Sequence, residues 1–106
     1  MIEAAYEPHE ARFLCNQGTT TFYVNNGARL LLFAMDSNAD NCGAWYVIAN
    51  GSGTVQVIKT VISASGITFN TSTNKRLKVT VASGTARLLV FTFGEFNIGN
   101  VFYVVS

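Results

Sequence analysis

The residues best suited to chemistry sit in the polar segments between apolar runs. Asp36-Ser37-Asn38-Ala39-Asp40-Asn41 places side-chain oxygens at alternating positions, as the opening of a calcium loop does. Asn41 stands where such a loop needs glycine, and Val47 where it needs a bidentate glutamate. The segment therefore reads as a polar hairpin loop, and no metal is expected. His9 is the only histidine and lies between Glu7 and Glu10 in an acidic N-terminal stretch. A zinc site or a catalytic triad needs several placed partners, so His9 reads as an exposed arm residue. Cys15 and Cys42 have no other histidine to act as base, and nothing brings two of Asp36, Asp40 and Glu95 to a shared cleft. No catalytic residue and no cofactor is expected, and the chain does not read as an enzyme.

Carbohydrate recognition is the chemistry that the residue types allow. A sugar site sets an apolar floor beneath a few oriented polar groups. Trp45 with Asn38, Asp40 and Asn41 makes one such set, and Phe96 with Asn97 and Asn100 makes another. Both lie in equivalent loops of a repeated passage. ARLLLFAM from Ala28 and ARLLVFTF from Ala86 each follow a turn, Asn25-Asn26-Gly27 and Ala82-Ser83-Gly84-Thr85. Each leads through a polar loop to an aromatic strand, AWYVIA from Ala44 or VFYVVS from Val101. Repetition of this kind predicts two similar three-stranded meanders.

Short β-branched and aromatic runs separated by Gly, Asn and Ser turns predict an all-β, antiparallel sandwich, jelly-roll-like, of eight or nine strands. The strands expected are Arg12–Asn16, Thr20–Val24, Ala28–Met35, Ala44–Ala49, Thr54–Ile62, Ile67–Asn70, Arg76–Val81, Ala86–Phe93 and Val101–Val105. Residues 1–11 read as an arm, either one helical turn or extended, and 12–106 as one domain. Asn50-Gly51-Ser52 and Asn70-Thr71-Ser72 match the glycosylation pattern but read as turns.

Composition narrows the partners. The chain is 49% hydrophobic and only 12% charged, with net charge +1. Lys75, Arg76 and Lys78 form the densest basic stretch, too little for a nucleic-acid track, so no nucleic-acid partner is expected. No apolar run approaches the ~20 residues of a membrane span, and no membrane insertion is expected. The N-terminus lacks the basic start and apolar run of a secretory signal, so synthesis in a cytoplasm with two reduced cysteines is the expectation.

The repeat strands are apolar on both faces: Leu30 and Leu32 oppose Leu31, Phe33 and Met35, while Leu88 and Val90 oppose Leu89, Phe91 and Phe93. One face can meet a second sheet. The other leaves Leu31, Phe33, Leu89, Phe91 and Phe93, with Phe102 and Tyr103 of the last strand, in need of cover. Another copy of the chain is the simplest cover, and a homo-oligomer is expected.

The stretch GAWYVIANGSGTVQVIKTVISASGITFNTSTNKRLKVTVASGTARLLVFTF resembles the C-terminal domains of bacteriophage tail-fibre and related receptor-binding proteins. The shared order is a Gly-aromatic-Tyr-Val strand, a Gly-rich turn and a β-branched strand. A Ser-Gly-Ile-Thr-Phe segment, a Leu-x-Val-x-Val strand, a Ser-Gly turn and a final apolar strand follow. The likeness covers about residues 43 to 93, half the chain. It implies a trimer of sandwich or jelly-roll subunits at a fibre tip, binding a bacterial surface glycan or protein, carried on the virion and made in the bacterial host cytoplasm. No stalk repeat precedes the domain, so a structural virion subunit remains the alternative: capsid decoration, head fibre or baseplate accessory.

Overall fold

The computed structural model describes residues 3–36, 42–61, 66–94 and 97–105. The fold is all-β. Its strands are β1 (Glu3–Glu7), β2 (Glu10–Val24), β3 (Arg29–Asp36), β4 (Cys42–Ala49), β5 (Val55–Val61), β6 (Ile67–Asn70), β7 (Arg76–Thr92) and β8 (Phe102–Val104). One four-residue helix, α1 (Ile98–Val101), precedes β8. Every pairing is antiparallel, in the order β1-β2-β7-β3-β4-β5, with β6 added on β7 and β8 on β2.

This one hydrogen-bonded sheet is folded over into two layers. The fold line crosses β2 and β7. A straight strand would hold Phe13 and Phe22 about 30 Å apart, yet their ring centroids lie 4.9 Å apart. The register shifts between Asn16 and Gly18, and positive φ at Gly18 (109°) and Gly84 (69°) lets both strands turn there. The inward face changes parity across the bend. On β2 the buried set passes from Ala11, Phe13 and Cys15 to Thr20, Phe22 and Val24. On β7 it passes from Leu77, Val79 and Val81 to Ala86, Leu88, Val90 and Thr92. Such a step keeps one strand facing the same core in both layers.

The first layer is thus β1, the start of β2, the end of β7, and β3, β4 and β5. The second is β8, the end of β2, the start of β7, and β6. Phe13 of the first layer meets Phe22 and Phe102 of the second, the latter two stacked at 4.6 Å. Trp45 of β4 meets Phe69 of β6 at 4.7 Å.

Three expectations change. The segments around Gly18 and Ser83-Gly84 are bends within long strands rather than turns between short ones. The two repeat copies do not lie in equivalent meanders either; they pair with each other, from Leu30↔Thr92 to Asp36↔Ala86. The first copy continues into its own partner β4, whereas the strand after the second, β8, joins β2. The copies look alike because each lies in the interior of the sheet and is apolar on both faces. Arg29 and Arg87 are both exposed, but at opposite ends of the antiparallel pair. The N-terminal stretch is extended rather than a helical turn, but it is part of the sheet and not an arm, since β1 pairs along its length with β2.

The asparagine turns form as expected. Asn50 Oδ1 accepts from the backbone N–H groups of Ser52 and Thr54, each at 3.0 Å, and Asn70 Oδ1 accepts from that of Ser72 at 2.9 Å. Among the described residues, Thr92 Oγ1 is buried without a hydrogen-bond partner. Thr92→Val keeps the shape and removes the orphan hydroxyl, so it should raise stability by about 1 kcal/mol in chemical denaturation. A loss of that size would mean that the hydroxyl has a partner.

Candidate functional site

The pairings turn the outer face of the first layer into rows of side chains. Leu14, Arg87, Met35 and Cys42 share one row. Ala5, Arg12, Leu89, Phe33 and Ala44 share the next. Glu10, Phe91, Leu31 and Tyr46 form a third, and Arg29, Ile48 and Gln56 a fourth, with Phe93 bonded to Arg29 through its backbone. Phe33 is 41% exposed, Met35 43%, Tyr46 and Ile48 45% and Phe93 50%. A trough of about 800 Å³ crosses this face, its walls including Arg12, Leu14, Phe33, Met35, Arg87 and Leu89. Arg12 Nη2 lies 3.2 Å from Glu10 Oε2, while Arg87 has no ion pair among the described residues.

The outer face of the second layer is of opposite character. Tyr103, Tyr23 and Arg76 stand in line across β8, β2 and β7. The tyrosine rings stack at 4.9 Å, and the Arg76 guanidinium carbon lies 5.2 Å from the Tyr23 ring centre. The following rows hold Thr21, Lys78 and Asn70, then Thr19, Thr80 and Thr68. Thr19 and Thr80 share a hydroxyl–hydroxyl hydrogen bond of 2.9 Å.

The expected interface residues therefore separate. Leu31, Leu89 and Phe91 are half-buried on the apolar face and Phe33 and Phe93 project from it. Phe102 is not among them: it is fully buried, because β8 turns it against Phe22 and Phe13. Tyr103, its neighbour in sequence, faces out from the second layer, 37% exposed.

The sugar sets are rearranged too. Trp45 is 5% exposed and packs on Phe69, so its ring is core and offers no plate to a ligand. Asn38, Asp40 and Asn41, with the rest of the calcium-like loop after Asp36, lie outside the described residues, as does Phe96. Asn97 caps α1, its side chain accepting from the backbone N–H of Gly99 at 3.0 Å. Asn100 is exposed on α1, and its backbone N–H donates to Asn97 O at 3.0 Å. His9 is exposed at the β1–β2 turn. The Tyr103–Tyr23–Arg76 line was missed by sequence reasoning. The outward parity of Arg76 and Lys78 was legible, but nothing local joins them to residues of β2 and β8.

No family model matches the chain, and no curated protein matches it in sequence. A solved structure is similar in fold: the tailspike protein gp49 of the Acinetobacter baumannii bacteriophage Fri1, a capsular polysaccharide depolymerase. The TM-score is 0.61 at 10% sequence identity. The match covers 98% of this chain but 21% of the tailspike, so the chain spans about a fifth of that protein's length. The chain's fold therefore resembles that of one part of this tailspike.

The cysteines are both free and lie on opposite faces of the first layer. Burial pushes the Cys15 thiol up, with a hydrogen bond to Thr20 opposing the shift. The neutral thiol is the form that folding favours, so its contribution is complete below the ordinary thiol range and falls away as pH rises through it. Cys15 should stay unmodified by a water-soluble alkylating reagent at pH 8 until the protein unfolds, read by mass spectrometry of the labelled peptides. Native-state labelling at the same rate as an unfolded control would place it at the surface.

Proposed function

We propose that this chain is a non-enzymatic binding module of a phage-like fibre or spike. It assembles from several copies and meets the host cell surface, with a glycan as ligand. The observation that carries this reading is the apolar outer face of the first layer. Large side chains of β3, β4 and β7 project there, and no described element of the chain lies over them. Fold similarity to part of a phage tailspike supports the setting, which would be the virion. A trimer is the assembly that the resemblance to fibre tips favours. A structural virion subunit would use the same apolar face; a ligand surface on the second layer is what separates the two.

Light scattering tests the assembly. The expected result at micromolar concentration is a multiple of the 11.5 kDa chain mass, three-fold in the favoured case. A single-chain mass would leave the apolar face without a self-partner and end this reading of assembly.

A further inference from the structure

We propose that the outer face of the second layer is a binding surface for an acidic polysaccharide, centred on Tyr103, Tyr23, Arg76 and Lys78. This rests on the reading of the chain as a glycan-binding module and supplies the place and ligand class.

Charge selects an anion. The acidic residues of the described strands are Glu3, Glu7, Glu10 and Asp36, all on first-layer strands. The second layer carries Arg76 and Lys78 on the outward face of β7, about 7 Å apart along the strand. Neither forms an ion pair among the described residues. Two cations on one face, with no acid beside them among the described residues, call for a ligand of opposite charge.

Arg76 is also pre-positioned. Its guanidinium lies against the Tyr23 ring, and Nη1 donates to Lys75 O at 3.1 Å. A guanidinium held in place loses less freedom when it takes a carboxylate, and its planar donors match both carboxylate oxygens.

The neighbouring groups favour a sugar over an acidic peptide. Tyr103 lies on β8, whose strand partner among the described residues is β2. The ring packs against Tyr23 and is otherwise 37% exposed at the sheet edge. That is an aromatic wall against which the apolar face of a pyranose can rest. Beyond it, Thr19, Thr21, Thr68 and Thr80 give hydroxyl groups that both donate and accept, the chemistry that sugar hydroxyls require.

The test uses the full chain and measures binding to oligogalacturonate, with dextran as a neutral glycan and poly-glutamate as a charged non-sugar. The expected result is salt-sensitive binding to oligogalacturonate above both controls. R76Q with K78Q, and separately Y103A, should each weaken it about tenfold or more. Y103F should retain most of it, and circular dichroism and light scattering of all variants should match the parent. If the parent binds oligogalacturonate and the variants bind equally well, the surface assignment falls while the glycan-binding reading stands. Equal binding to dextran would overturn the acidic class, and equal binding to poly-glutamate would reduce the surface to charge alone. Binding to neither glycan would overturn this inference and the glycan-binding reading together, without touching the assembly mass.

Discussion

Phe22→Ala should lower folding stability by about 3–5 kcal/mol. Phe22 is fully buried, stacks on Phe102 across the β2–β8 pair and meets Phe13 edge-on from the opposite layer. Truncation would leave a cavity at the junction where the folded-over sheet touches itself, and the rings around it are held by backbone pairing and cannot close in. A loss of this size is a large fraction of the roughly 5–15 kcal/mol typical of a whole domain. Urea denaturation followed by fluorescence and circular dichroism measures it. A loss under about 1 kcal/mol would show that the aromatic contacts do not hold the layers together.

The second large effect concerns assembly. Phe33→Asp with Phe93→Asp should convert the assembly to folded monomers. Both side chains are about half exposed in the single chain, so the fold tolerates their loss. In an assembly each would be covered, and covering the exposed half of such a side chain contributes about 1–1.5 kcal/mol, half the value for full burial. Losing both and placing carboxylates in the contact should weaken association by at least about a hundredfold. Light scattering reads the mass, and an unchanged circular dichroism spectrum shows that folding survives. Cys42, in the trough on the same face, should alkylate faster in the double variant than in the parent. An unchanged mass would place the contact elsewhere.

Most strands were legible from their residues. β3, β4, β6 and the ends of β2 and β7 follow the apolar runs to within a residue or two, because local composition sets where a strand is comfortable. The bends were misread because Gly18 and Ser83-Gly84 look like hairpin turns. The distinguishing sign was present but faint: the inward parity slips between Cys15 and Thr20 and between Val81 and Ala86. Trp45 misled for a related reason. It follows a polar loop, and the β4–β5 register slips beside it, between Ala44 and Trp45. Ala44 and Trp45 are consecutive and both buried, a pattern that strict alternation does not allow. The pairing of β2 with β7, and with it the tyrosine line, depends on contacts between distant parts of the chain that no short segment encodes.

That pairing has a consequence for how the chain comes to be folded. Glu10 pairs with Phe91 and Tyr23 with Arg76, so the two strands shared by both layers come from near opposite ends of the chain. Loops of that length must close before their contacts repay the lost entropy, and folding in milliseconds to seconds is expected. Neither layer can outlast the other, because each contains half of the same two strands. During synthesis at roughly 5–20 residues per second, β2 waits several seconds for β7 to emerge, with Phe13 and Phe22 unprotected. The apolar rows of the first layer exist only once β7 has been laid between β2 and β3. In the proposed assembly, copies would recognise one another only after each has finished folding, so a chain cut short on the ribosome would not enter it.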